Sequence, residues 1–228
     1  MATFAFIHGA GDSGWAWHLV EAELRGRGHA TVAPDLPSED DSCGIEEYTE
    51  TVVDAVRSIG SESDVVVVGH SFGGFTAPLV AERLGARRIV LLAGMIPSPG
   101  ESPAEWWSAT GYAVAAATQA ARDDGATGSS DPMIAFYNGV PDALAREAMR
   151  RSRRQSDAPT NEPWPLAAWP DVPTRFVLCR DDRFFPADFF RALVPERLGI
   201  TPEEIDGGHC VMLSRPREVA DAVEDGGR

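Results

Sequence analysis

The sequence predicts an α/β chain: a mostly parallel sheet of about six strands flanked by helices, with a helical insertion after the fourth strand. Three observations predict it. Short apolar runs alternate with helix-spaced apolar residues over the first 94 positions and again from 172 onward. The run VVVV at 65–68 is apolar at every position, as a central strand buried on both faces requires. Residues 97–170 break the rhythm, with proline, glycine and aromatic residues but no strong strand pattern. Alternation of this kind implies parallel strands joined by crossover helices on both faces of a sheet. The expected division is a core of residues 1–96 and 171–228, with 97–170 inserted over one end.

Each element has its own signal. TFAFIH (3–8) has the composition of a buried strand, and WAWHLVEAELRGRG (15–28) that of a helix closed by glycine. ATVAPD (30–35) is a second strand. Ile45, Tyr48, Val52, Val56 and Ile59 recur at three- and four-residue spacing, which marks one face of a helix. DVVVVG (64–69) is the third strand. FTAPLVAERLG (75–85) is helical, with a distortion expected at Pro78, and RRIVLLAG (87–94) is the fourth strand. Within the insertion, helices are expected over 103–122 and 141–154. VPTRFVLC (172–179), a helix over 187–198, a short strand near 201–206 and a helix over 215–225 complete the chain.

Composition bounds the function. A length of 228 residues suits one domain, or one domain with an insertion. The formal charge of −15 argues against nucleic acid and anionic membranes as partners. All twenty basic residues are arginine, so Schiff-base and lysine-base chemistry are excluded. The N-terminal stretch lacks the basic region of a signal peptide, and no segment approaches the ~20 apolar residues of a membrane span. Three cysteines without framework spacing fit reduced thiols in a cytoplasmic protein. The basic stretch REAMRRSRR (146–154) reads as a solvated helix face, or as a lure for an acidic substrate.

The motif that carries chemistry is GHSFGG. Gly69 to Gly73 spell G-x-S-x-G between a strand and a helix, the context in which a tight turn pushes a serine hydroxyl out at the C-terminal edge of a sheet. Ser71 is the candidate nucleophile, and the Phe72 N–H at the helix start is a candidate oxyanion donor. A serine needs a base, and the base an orienting acid. His209, in DGGHCVMLSRP after the last strand, is the candidate base. The acid comes from CRDDRFFP, where Asp181 and Asp182 compete; Asp206 lies too near His209 along the chain. The HGAG turn after the first strand offers a second oxyanion donor, the Ala10 N–H. His70 is expected to point away across the turn, His8 to belong to a strand end, and His18 and His29 to be solvated. Cys210, beside the base, reads as a structural thiol.

A competing pattern overlaps the first turn. Gly9-x-Gly11-x-x-Gly14 follows a strand and opens a helix, with Asp35 ending the next strand 21 residues after Gly14, which is the dinucleotide-binding arrangement. Against it, a histidine separates strand from first glycine, and Ser71, His209 and the aspartates would be left without a role. No cofactor and no metal are expected, since the histidines lack ligand spacing.

Together, FIHGAGDSGWAWHLV, GHSFGG and GGHCVMLSRPREVA resemble the α/β-hydrolase fold, and within it the plant methylesterase and hydroxynitrile lyase group with its bacterial esterase relatives. The resemblance covers nearly the whole chain and fades in the insertion, which would be the group's cap. It selects Asp182 as the acid, because Pro186 completes a D-x-x-x-P loop. It implies ester hydrolysis through an acyl-enzyme, with Ser71, Asp182 and His209 as the triad and Ala10 and Phe72 as the oxyanion hole. Two departures favour the esterase side. Hydroxynitrile lyases carry lysine where this chain has Cys210, and threonine where it has Gly9. The expected partner is a small ester, apolar or aromatic; a homodimer stays open. A lyase, lactonase or carbon–carbon hydrolase on the same fold, or a non-catalytic ligand receptor, are the alternatives.

Overall fold

The computed structural model describes residues 1–60 and 63–224. Six strands form one sheet: β1 (Thr3–Ile7), β2 (Ala30–Val32), β3 (Val65–His70), β4 (Arg88–Leu92), β5 (Thr174–Cys179) and β6 (Glu203–Ile205). Their order is β2-β1-β3-β4-β5-β6, and every pairing between neighbours is parallel. β1 and β3 are buried at every position, which is why their sequences carry apolar residues without alternation.

The helices of the core are α1 (His18–Gly26), α2 (Ile45–Ser58), α3 (Ala77–Leu84), and, after the insertion described below, α8 (Ala187–Leu198), α9 (Val211–Ser214) and α10 (Pro216–Glu224). In α2 the predicted stripe of Ile45, Tyr48, Val52 and Val56 is buried, while Ile59 lies just past the helix end and is exposed. The expected distortion at Pro78 is absent. Pro78 occupies the first turn of α3, where its missing N–H has no intrahelical acceptor to lose. Residue 225 of the last predicted helix lies outside the described residues.

Between β4 and β5 the chain forms α4 (Pro103–Ala109), α5 (Tyr112–Ala120), α6 (Pro132–Ala135) and α7 (Asp142–Arg151), and no strand among the described residues. The single helix expected over 103–122 is two, broken where Gly111 takes a φ of +70°. This segment is bound to the sheet layer. Trp106 and Trp164 are fully buried, and each indole N–H donates to a core carbonyl, Ile96 at 2.9 Å and Phe75 at 3.0 Å. Glu162 accepts from the Ile45 N–H at 3.1 Å, covering the first amide of α2. No described helix is long and apolar enough to cross a membrane.

Candidate active site

β3 ends on His70, and the next residue, Ser71, turns the chain with a φ of +51°. That left-handed conformation is unfavourable for a residue with a side chain, so the surroundings must enforce it. The glycines around it show how. A Cβ on Gly69 would come within 2.8 Å of the Ala77 Cβ, and one on Gly73 within 2.8 Å of the Ile7 carbonyl oxygen. α3 and the end of β1 thus close on the turn from both sides. The Met95 N–H donates to the Ser71 carbonyl at 2.8 Å and ties the turn to the loop after β4.

His209 follows β6. Its Nδ1 donates to Asp182 Oδ2 at 2.8 Å, with both residues almost completely buried. Asp182 Oδ1 accepts the N–H groups of Phe184 and Phe185, each at 2.8 Å. Three donors therefore fix the carboxylate, and it fixes the imidazole tautomer, leaving Nε2 as the acceptor. Of the two aspartates, Asp182 is the one that meets the imidazole. Asp181 faces the other way, its Oδ2 accepting from the Gly207 N–H at 3.1 Å and its own N–H donating to the Gly207 carbonyl at 3.0 Å.

A cleft of about 410 Å³ is lined by Ser71, His209 and Ala10 together with Phe136, Tyr137 and Phe184. Ala10 lies on the loop after β1, and its N–H has no acceptor among the described residues. Phe72 stands at the start of the helical turn after Ser71, where the first amides lack intrahelical acceptors. The tryptophans of the insertion serve packing, while the rings at the cleft belong to phenylalanine and tyrosine. Phe184, two residues after Asp182, had no signal beyond its place in RFFP; its ring centroid lies 5.1 Å from that of His209.

The other histidines depart in part from expectation. His70 does not point away: its ring centroid is 4.6 Å from that of His209, and its Nε2 lies 3.0 Å from the His209 carbonyl oxygen. Since that carbonyl only accepts, Nε2 carries the proton and donates. Burial holds His70 neutral, well below the usual imidazole range. His29 is not solvated, since its Nδ1 accepts from the Ala2 N–H at 3.1 Å and its Nε2 meets Glu224 at 2.8 Å. His18 is half-buried, with Nδ1 2.7 Å from the Trp15 carbonyl. His8 is a buried strand-end residue, its Nε2 accepting from the Leu36 N–H at 3.1 Å and its Nδ1 donating to the Gly9 carbonyl at 2.8 Å. Burial pushes its pKa down to about 4. The Cys210 thiol is pushed well up by burial and stays protonated, as a structural thiol should.

The glycine pattern near the N-terminus has a local explanation. A Cβ on Gly14 would sit 1.9 Å from the Ala33 carbonyl oxygen, and one on Gly9 3.0 Å from the Ser71 Cβ. Asp35 spends its Oδ1 on the Gly14 N–H at 2.8 Å. These contacts pack the turn against the segment after β2 and the serine. The basic stretch is likewise accounted for: Arg146 pairs with Asp142, Arg150 and Arg151 with Glu147, Arg153 with Glu39 and Arg154 with Asp41.

Known proteins share this architecture. The pattern of the alpha/beta hydrolase family matches residues 4–222. A probable esterase, PIR7A, of Oryza sativa subsp. indica is 28% identical over 248 residues, spanning 96% of this chain and 94% of its own. Methylesterase 7 of Arabidopsis thaliana is 26% identical, spanning 95% of this chain and 92% of its own. Among solved structures, an extracellular alpha/beta-hydrolase from a Paenibacillus species superposes with a TM-score of 0.80, at 22% identity and with all of both chains covered.

Proposed function

The chain belongs to the alpha/beta hydrolase family, and from that premise we propose that it is a serine carboxylesterase cleaving small esters through an acyl-enzyme. One observation carries the reading. The His209–Asp182 pair, joined at 2.8 Å, opens onto the same cleft as a serine held on a strained turn. Esterase and methylesterase relatives spanning nearly the whole chain support ester hydrolysis.

In this reading His209 Nε2 takes the proton of Ser71 Oγ as that oxygen bonds to the ester carbonyl carbon. The Ala10 and Phe72 N–H groups hold the oxygen that becomes negative. Asp182 stabilises the imidazolium. The C–O bond to the alcohol then breaks, and His209 returns its proton to the departing oxygen. Water repeats the sequence on the acyl-serine, giving the acid and free Ser71. Each oxyanion donor contributes about 10²–10³ in rate. Residues 97–170 act as the cap, supplying Phe136 and Tyr137 to a cleft suited to apolar or aromatic groups. Three unpaired thiols, two of them buried, favour a reducing, cytoplasmic setting. A lyase that handles an anion beside the base needs a cation there, and the protonated, buried Cys210 supplies none.

The test is a panel of short activated esters, cyanohydrins and lactones on the wild type and on Ser71→Ala. Esters should be turned over, with an acyl group on Ser71 detectable by mass spectrometry, and Ser71→Ala should lose at least about 10³ in kcat. Turnover of cyanohydrins or lactones in preference to esters would replace the reading, and tight ligand binding with no turnover would make the protein a receptor.

A further inference from the structure

Asp12 is a cleft carboxyl that the ester chemistry does not use. It lies two residues beyond Ala10, so its Cα is within about 7.6 Å of that of the oxyanion donor. Oδ1 accepts from the Ser13 N–H at 2.8 Å; Oδ2 has no hydrogen-bond partner among the described residues, and no arginine pairs with the carboxyl.

The groups that face Asp12 come from three directions. Asp35 approaches from the segment after β2, His209 and Cys210 from the loop after β6, and Tyr137 from the insertion. The Cys210 thiol and the Tyr137 phenol are both pushed up by burial and stay neutral. Arg153 also lines the cleft, but its guanidinium is engaged, donating to the Leu36 carbonyl at 2.8 Å and to Glu39 at 3.2 Å. Apart from these the nearby walls are largely apolar, with Phe136, Phe184 and Met149. A carboxylate lacking a protein cation, set among aromatic rings, suits an organic ammonium: charge and hydrogen bond at the head, ring faces along the carbon frame.

We propose that the cleft takes esters bearing a protonated amine, with Asp12 Oδ2 accepting from the ammonium and the rings of Phe136, Tyr137 and Phe184 enclosing its carbon frame. This rests on the ester reading of the same cleft. Burial raises the Asp12 carboxyl to about 6, so the free cleft presents an anion above that pH and a neutral acid below it. Cation binding is therefore strongest above pH 6 and weakens as the carboxyl protonates.

Binding and turnover test it separately. Benzylammonium, benzyl alcohol and benzoate are titrated calorimetrically into Ser71→Ala and into Ser71→Ala/Asp12→Asn. The asparagine keeps an acceptor for the Ser13 N–H and removes the charge. At pH 8 benzylammonium should bind about tenfold tighter than benzyl alcohol, with benzoate weakest. The preference should shrink at pH 5 and vanish with Asp12→Asn. No benzylammonium binding up to about 10 mM, no preference over benzyl alcohol, or a preference that survives Asp12→Asn overturns the proposal. In parallel, kcat/KM is compared for methyl 4-(aminomethyl)benzoate and methyl 4-methylbenzoate on enzyme with Ser71 intact. Turnover of both without preference overturns the Asp12 assignment and keeps the esterase. An ammonium preference in binding with turnover of neither ester overturns the esterase and keeps the Asp12 site.

Discussion

Asp181 and Asp182 are adjacent and chemically identical but bond to different partners, so they make a sharp comparison. Asp182→Asn should lower kcat about 10⁴-fold, because the amide no longer holds the His209 tautomer that leaves Nε2 free. Asp181→Asn keeps an acceptor for the Gly207 N–H and should stay within a few-fold of wild type in steady-state kinetics. Equal losses in the two variants would contradict the assignment. Two titrating groups, buried His8 and half-buried Asp12, set opposite pH trends in stability. The His8 pKa is depressed from 6.5 to about 4, so its contribution is present above pH 6.5 and is lost as pH falls through about 4. The Asp12 pKa is raised from 3.8 to about 6, so its contribution is present below pH 3.8 and is lost as pH rises through about 6. Asp12→Asn, which removes the charge, should accordingly raise Tm at pH 8 and leave it nearly unchanged at pH 4. An equal shift at both values would show that the carboxyl bears no burial cost. Ser71, His209 and the pair of aspartates were legible in the sequence because each sits in a short motif beside a predicted strand end. The bond from His70 to His209 was not, because it spans 139 residues and depends on how two loops meet.

Elements were legible where periodicity is long enough to register. The valine run of β3 and the stripe of α2 announce themselves, whereas α6 and α9, four residues each, are too short to display a period. Strand ends were less legible than strand centres. β2 stops at Val32 although the run reads on to Asp35, because pairing with β1 ends at Ala5 and Pro34 brings no N–H to a ladder. What no local pattern could reveal is how the insertion is fastened. Glu101, just before α4, meets Arg197 of α8 in a two-pronged ion pair, with Nη2 to Oε1 at 2.9 Å and about a tenth of either side chain exposed. Arg197 also donates to the Ile96 carbonyl at 2.7 Å. Removing one partner of a buried pair strands the other charge, which costs about 3–5 kcal/mol. Glu101→Ala should therefore lower Tm by roughly 6–20 °C in a chain of this size. Glu101→Ala combined with Arg197→Met should recover most of that loss, since the stranded charge is gone. A shift under about 2 °C for the single variant would mean that water reaches the pair and screens it.

At the scale of the whole molecule the strand order explains where the cleft lies. From β1 the chain steps to β2 on one side and then to β3 on the other, so β1 and β3 part their connections at their C-terminal ends. Crevices of α/β sheets open at such switch points. The HGAG loop leaves β1 there and the serine turn leaves β3 there, which brings Ala10 and Ser71 to one cleft from positions 61 residues apart. Whether the insertion is a separate unit depends on where its apolar side chains are buried. Its Trp106, Val140, Ala145, Ala148 and Trp164 belong to one continuous buried cluster with the valines of β3 and the phenylalanines of β1. An insertion that shares the core has no apolar interior of its own to fold around, so it should not melt independently. Urea unfolding followed by tryptophan fluorescence, which reports mainly on the insertion's buried indoles and Trp17, should coincide with the loss of sheet and helix followed by far-UV circular dichroism. An earlier fluorescence transition with the sheet intact would mean that residues 97–170 open as a unit, and that access to Ser71 is controlled by that opening rather than by a cleft already formed.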